Sequence, residues 1–151
     1  MKKTPMVILI ITVICSLFIV YTEFQFYNSY SLISLFRPTL YDLKVDEIGT
    51  SLKITLTIFL SNPTNLRLNV ISIYLSIWVN QKKIELSNPA DFLYLVLQPY
   101  SNKTIFIQRT IPNEQIPSTS EREWFIQATF YIKGVPFKDS MHFRVYGYFK
   151  K

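Results

Sequence analysis

From Leu52 onward apolar and polar residues alternate. Leu52, Ile54, Leu56, Ile58 and Leu60 share one side of an extended chain, while Lys53, Thr55, Thr57 and Ser61 share the other, with Phe59 the one apolar residue among them. A period of two with one apolar side predicts a half-buried β-strand. The turn Ser61-Asn62-Pro63-Thr64-Asn65 ends it, because Pro63 has no N–H for a ladder and Asn62 and Asn65 favour tight or left-handed backbone. Leu66, Leu68 and Val70 then alternate in one phase, and Ile71, Ile73, Leu75, Ile77 and Val79 in the other. That slip predicts a β-bulge or a strand crossing between sheets.

The same reading carries to the C-terminus. A weaker strand from Leu40 to Ile48, closed by Gly49, precedes the strong one, and Asn80-Gln81 turns the chain into a short strand from Lys82 to Leu86. The apolar run Phe92 to Leu97 lies between the breakers Ser87-Asn88-Pro89 and Gln98-Pro99-Tyr100-Ser101. Thr104 to Thr110 is a further strand, followed by a polar loop from Pro112 to Ser120. Trp124, Ile126, Ala128, Phe130 and Ile132 alternate, Gly134 to Asp139 turns, and Met141, Phe143, Val145, Gly147 and Phe149 share the last apolar side. Seven or eight strands at near-regular spacing, with no soluble helix, predict a β-sandwich.

The N-terminus follows a different rule. Met6 to Val20 carries no charge, and extended from Thr4 to about Thr22 it reaches the roughly 20 residues that cross a hydrocarbon core. Lys2 and Lys3 precede it and the first arginine after it is Arg37, so the positive-inside bias places the N-terminus in the cytoplasm and the rest of the chain outside. Val20-Tyr21-Thr22-Glu23-Phe24 lacks the small residues of a cleavage site, which favours an uncleaved signal anchor over a secretory signal. The only cysteine, Cys15, lies in the apolar run behind Ile14 and reads as a membrane-helix residue rather than a lipidation site. Phe24, Tyr27 and Tyr30, among other aromatics interleaved with polar residues, suit a membrane-interface belt; a helix continuing through Phe36 and ending near Pro38 equally suits packing on a partner. The division is therefore 1–37 for lysine pair, span and aromatic collar, and 38–151 for the β domain.

Composition narrows the chemistry. With no cysteine beyond Cys15, the domain has no disulfide and no thiolate metal site, and His142 is the only histidine, so neither a histidine metal cluster nor a serine–histidine relay has its parts. Three glycines, Gly49, Gly134 and Gly147, cannot build a phosphate-cradling loop. Glu121 and Glu123 flank Arg122 with no base set against them and read as surface charges. No catalytic residue, cofactor or metal is expected. From Pro38 onward 13 Lys and Arg stand against 9 Asp and Glu, a net +4 spread along every segment, which argues for a solubilising surface and against nucleic-acid binding. Asn102-Lys103-Thr104 is a glycosylation acceptor sequence on what reads as a loop edge. Tyr131, Arg144, Tyr146 and Tyr148 fall on the non-core side of the last two strands; if these strands are neighbours, with Lys133 they form an exposed aromatic patch of the kind that marks a partner site.

The strand running into Asn62-Pro63-Thr64-Asn65, the apolar strand after it and the basic hairpin Asn80 to Ile84 resemble the type-2 late embryogenesis abundant domain, also called the water-stress and hypersensitive-response domain. The resemblance covers Leu40 to Phe149 and departs from the family pattern at Thr64, where asparagine is common, and at Asn80-Gln81, where the family has a hairpin glycine. It implies an immunoglobulin- or fibronectin-III-like sandwich and no shared catalytic residues. Two functions are compatible with all of this. One is a membrane-anchored, non-enzymatic accessory or structural subunit that presents its sandwich outside the cell to other membrane or envelope proteins. The other is a free-standing tethered domain that protects against stress or binds a ligand.

Overall fold

The computed structural model describes residues 4–118, 121–134 and 140–151, with side chains from residue 7 onward. One helix, α1 (Thr4–Ile33), precedes eight strands: β1 (Arg37–Ile48), β2 (Ser51–Asn62), β3 (Leu68–Val79), β4 (Lys82–Ile84), β5 (Ala90–Leu97), β6 (Ser101–Pro112), β7 (Glu123–Gly134) and β8 (Met141–Lys150). They form two antiparallel sheets, β1-β2-β6 and β4-β3-β7-β8, and β5 shares with β4 the edge of β3 opposite β7. The fold is thus a mainly β, immunoglobulin/fibronectin-III-like sandwich behind one long apolar helix.

The core is the set of residues that the alternation selects. In β2 every second side chain from Leu52 to Leu60 is at most 1% exposed, and β3 and β7 answer with Val70, Ile73, Leu75, Ile77, Trp124, Ile126 and Phe130 from the other sheet. The phase slip after Val70 is a bulge: the register of β3 against both β5 and β7 shifts between Val70 and Ser72, so β3 stays in one sheet. Asn80 and Gln81 take φ of 48° and 68°, the left-handed pair that a two-residue hairpin requires, without glycine at either place.

Three expectations need correction. The first strand is longer than Leu40 to Ile48, because Arg37 and Pro38 already pair with Ser61 and Leu60. Proline forces the residue before it to be extended, and β1 is a sheet edge, where a missing N–H is tolerated. The helix correspondingly ends at Ile33, not near Pro38; Leu35 and Phe36 donate to the carbonyls of Leu32 and Ile33, both at 3.0 Å, in a tightened last turn, and Arg37 Nη1 donates to Ser34 O at 2.9 Å. Asn102 belongs to β6 and not to a loop, although it is exposed there. The turn expected from Gly134 to Asp139 lies outside the described residues beyond Gly134, as do Lys2, Lys3 and the last two residues of the loop ending at Ser120.

The end of α1 is part of the sandwich. Ile33 and Phe36 are 2% and 1% exposed, and the Phe36 ring stands edge-on to Phe143 and Phe130 at centroid distances of 5.3 and 6.2 Å. The aromatic segment is therefore neither wholly a belt nor wholly free for a partner: its last residues fill their own domain. Upstream, the side chains from Val7 to Asn28 are exposed all round.

Candidate interaction surface

Sheet register decides what the outer face of the larger sheet displays. Across β3, β7 and β8 the aligned rows are Trp78–Phe125–Tyr148, Ser76–Gln127–Tyr146, Tyr74–Thr129–Arg144 and Ser72–Tyr131–His142. β7 and β8 are neighbours, so Tyr131, Arg144, Tyr146 and Tyr148 do share one face. The structure adds to them Trp78, Phe125 and Tyr74, which the sequence reading passed over. Their signal was parity: with Ile77 and Val79 pointing inward, Trp78 between them points out.

The aromatics touch in a chain. Trp78 meets Phe125 at 5.3 Å, Phe125 stacks on Tyr146 at 5.9 Å with 13° between the rings, and Tyr131 meets His142 at 4.4 Å. Such contacts hold rings in place without removing them from solvent: Tyr146 and Tyr148 remain 54% and 65% exposed. At one end of the face Trp78, Gln81, Glu123, Phe125 and Tyr148 line a cleft of about 380 Å³. There Tyr148 donates its hydroxyl to Glu123 Oε2 at 2.8 Å, and this hydrogen bond to a carboxylate, chiefly, raises the phenol's pKa above its ordinary value. The wall is fixed by Asn80, whose N–H donates to Glu123 O at 2.9 Å and whose Oδ1 accepts from Glu123 N–H at 2.8 Å.

Glu121 and Glu123 go to separate partners. Glu121 pairs with Lys150, Glu123 accepts from Tyr148, and Arg122 between them pairs with Glu47. Among the described residues no cluster of three or more His, Cys, Asp or Glu could hold a metal ion. The face displays flat apolar rings, hydroxyls, and the cations Arg144 and Lys133. Phe24, Tyr27 and Tyr30 stand apart from it on the free surface of α1, at 64%, 74% and 52% exposure.

Asn62 and Pro63 are structural. Asn62 is 1% exposed and spends its whole amide: Nδ2 donates to Leu66 O and Gln98 O, both at 2.8 Å, while Oδ1 accepts from the N–H and the hydroxyl of Thr64 at 3.2 and 2.7 Å. Thr64 Oγ1 in turn accepts from Leu66 N–H, and Thr64 O accepts from Tyr100 N–H at 3.0 Å. The threonine that departs from the family pattern thus completes the knot with its hydroxyl.

No family model and no curated protein matches this sequence. Solved structures match in fold. A solution structure of an Arabidopsis thaliana protein has a TM-score of 0.61 at 10% identity, over 76% of this chain and 79% of that one. A solution structure of a candidate late embryogenesis abundant protein has 0.54 at 11%, over 99% and 90%. A crystal structure of a protein from Archaeoglobus fulgidus has 0.51 at 13%, over 75% and 98%. At such identities the likeness concerns fold alone, and the resemblance to the late embryogenesis abundant domain holds at that level. Val7–Ile33, 27 residues, is long and apolar enough to cross a membrane. The chain is thus a mainly β domain of two antiparallel sheets, similar in fold to these structures, behind one long apolar helix.

Proposed function

We propose that this protein is a non-enzymatic accessory or structural subunit, anchored in a membrane by α1, that presents its sandwich outside the cell to a larger membrane or envelope assembly. The observation that carries the reading is the outer face of the larger sheet, where rings pack against one another yet stay open to solvent beside Arg144 and Lys133. A surface of this kind is stabilised further when a partner covers it. The exposed flanks of α1 with Phe24, Tyr27 and Tyr30 offer a second contact, within the bilayer or at its edge.

Extraction of tagged full-length protein from its native membrane in gentle detergent, followed by sizing and identification of co-purifying chains, tests the reading. A partner at fixed ratio that survives washing, and is lost from the Tyr146→Ser, Tyr148→Ser double variant, is the expected result. Recovery of the chain alone overturns it. A second reading, a free-standing tethered domain that protects against stress or binds a ligand, rests on the fold likeness to the candidate late embryogenesis abundant protein and would then take its place.

A further inference from the structure

Four cations far apart along the sequence stand together at one end of the sandwich, while Lys53, Lys82, Lys83, Arg122 and Lys150 lie toward the other end among carboxylates. Sheet register puts Arg37, Arg67, Lys103 and Lys133 at one end of the sandwich: Arg37 pairs with Ser61, Lys103 with Leu60 and Lys133 with Asn69, and Arg67 directly precedes β3. That is the end where α1 enters. Asp46, Glu47, Glu85, Glu114, Glu121 and Glu123 lie in the opposite half, Asp42 and Asp91 stand mid-sheet opposite Thr57 and Ile73, and several carboxylates are matched by cations, as in Arg122–Glu47, Lys150–Glu121, Arg109–Asp91 and Lys151–Asp42. Among the described residues the four entry-end cations form no ion pair.

The loop at this end carries a second sign. Tyr100 follows Pro99 in the turn Gln98–Ser101, where a left-handed residue is ordinarily Gly or Asn. Its φ is +53° and its ring is 73% exposed. A bulky residue held in an unfavourable backbone region, with a ring that buries little inside the chain, points to a use outside it.

We propose that this end of the sandwich docks on anionic lipid headgroups of the leaflet from which α1 emerges, through Arg37, Arg67, Lys103 and Lys133 with the Tyr100 ring at the interface. The inference rests on the reading that α1 spans the membrane. Helix length puts the surfaces together: from Glu23, the one charged residue of α1 among those with described side chains, to Ile33 the helix rises about 15 Å, which covers the headgroup layer and leaves the cations within about a Debye length of it. Among the described residues these cations form no ion pair, on the proposed reading they lie on the bilayer side, and cations near an anionic leaflet are attracted in proportion to their number.

The test uses the full chain reconstituted in vesicles of phosphatidylcholine alone or with phosphatidylglycerol. An environment-sensitive fluorophore is placed by Asn65→Cys in a Cys15→Ser background, with Gln81→Cys as the far-end control. Emission from position 65 should rise at least about two-fold when phosphatidylglycerol is present, fall back at about 0.5 M salt, and fail to rise when Arg37, Arg67, Lys103 and Lys133 are all replaced by Gln, while position 81 stays unchanged. The four sites are exposed or half-buried, and melting of the quadruple variant at the wild-type temperature shows that it is folded. Equal emission in the two lipids, or a rise that survives the quadruple substitution, overturns the proposal, as does a rise produced only by a soluble acidic polysaccharide. Protection of native Cys15 from a membrane-impermeant maleimide reads insertion separately: unprotected Cys15 overturns the membrane reading and this proposal together, and protected Cys15 without lipid-dependent emission overturns this proposal alone.

Discussion

Two asparagine turns, one at each end of the sandwich, start from similar sequence signals and finish as different structures. Asn62 is buried, with both amide donors and its carbonyl committed to Leu66, Gln98 and Thr64, and it ties the β2–β3 turn to the loop before β6. Asn80 sits at the surface, holds a two-residue hairpin by its own left-handed backbone and bonds to Glu123. A buried polar group is expensive to leave without partners, whereas an exposed one exchanges protein for water at little cost. The first turn therefore holds the fold together at the helix end, and the second only shapes a cleft.

Substitutions should separate the two ends by size of effect. Phe36→Ala removes a fully buried ring between Phe130 and Phe143 and is expected to cost about 4 kcal/mol, measured by urea unfolding of the full chain in mild detergent with tryptophan fluorescence. Asn62→Ala should cost about 3 kcal/mol in the same assay, because Leu66 O, Gln98 O and the Thr64 hydroxyl lose their partner. A loss below about 1 kcal/mol would mean that water replaces the amide and that this knot is not what secures the end. Asn80→Gly should shift stability by no more than about 1 kcal/mol, since glycine accepts the left-handed φ and gives up one exposed hydrogen bond.

Tyr148→Phe is the mildest. The hydrogen bond to Glu123 raises the Tyr148 pKa in the folded chain, so its small contribution is present below the ordinary phenol range and is lost as pH rises through the raised value. Ultraviolet titration of the folded protein should lose a late-ionising phenol in this variant, with melting at neutral pH unchanged. Loss instead of a phenol that ionises in the ordinary range would remove Glu123 from the account of the cleft.

Much of the fold is legible in the alternation because burial in a sandwich selects every second residue. Leu52 to Leu60 and Trp124 to Ile132 show this, and the parity change after Val70 announces the bulge. Ile33 and Phe36 were not legible as core: they follow an apolar helix, and an apolar residue after an apolar run carries no mark of what it will bury against. The aromatic face was half legible. Tyr131, Arg144, Tyr146 and Tyr148 lie on two strands joined in sequence, but Trp78 and Tyr74 reach the same face only through the non-local pairing of β3 with β7. The meeting of Arg37, Arg67, Lys103 and Lys133 at the helix end is equally a product of topology, since they are far apart along the chain.

The way Ile33 and Phe36 enter the core has a mechanical meaning. On the proposed reading that α1 spans a membrane, Ile33 and Phe36 would couple the tilt of the helix to the sandwich through the two residues that enter its core. Strands of 12 residues extend about 40 Å, so a change of about 10° in the tilt of α1 carries the far end of the sandwich about 7 Å sideways. On that reading, whatever sets the tilt of α1, whether interfacial anchors or a packed neighbour, would also set the direction in which the cleft at Trp78 and Tyr148 faces.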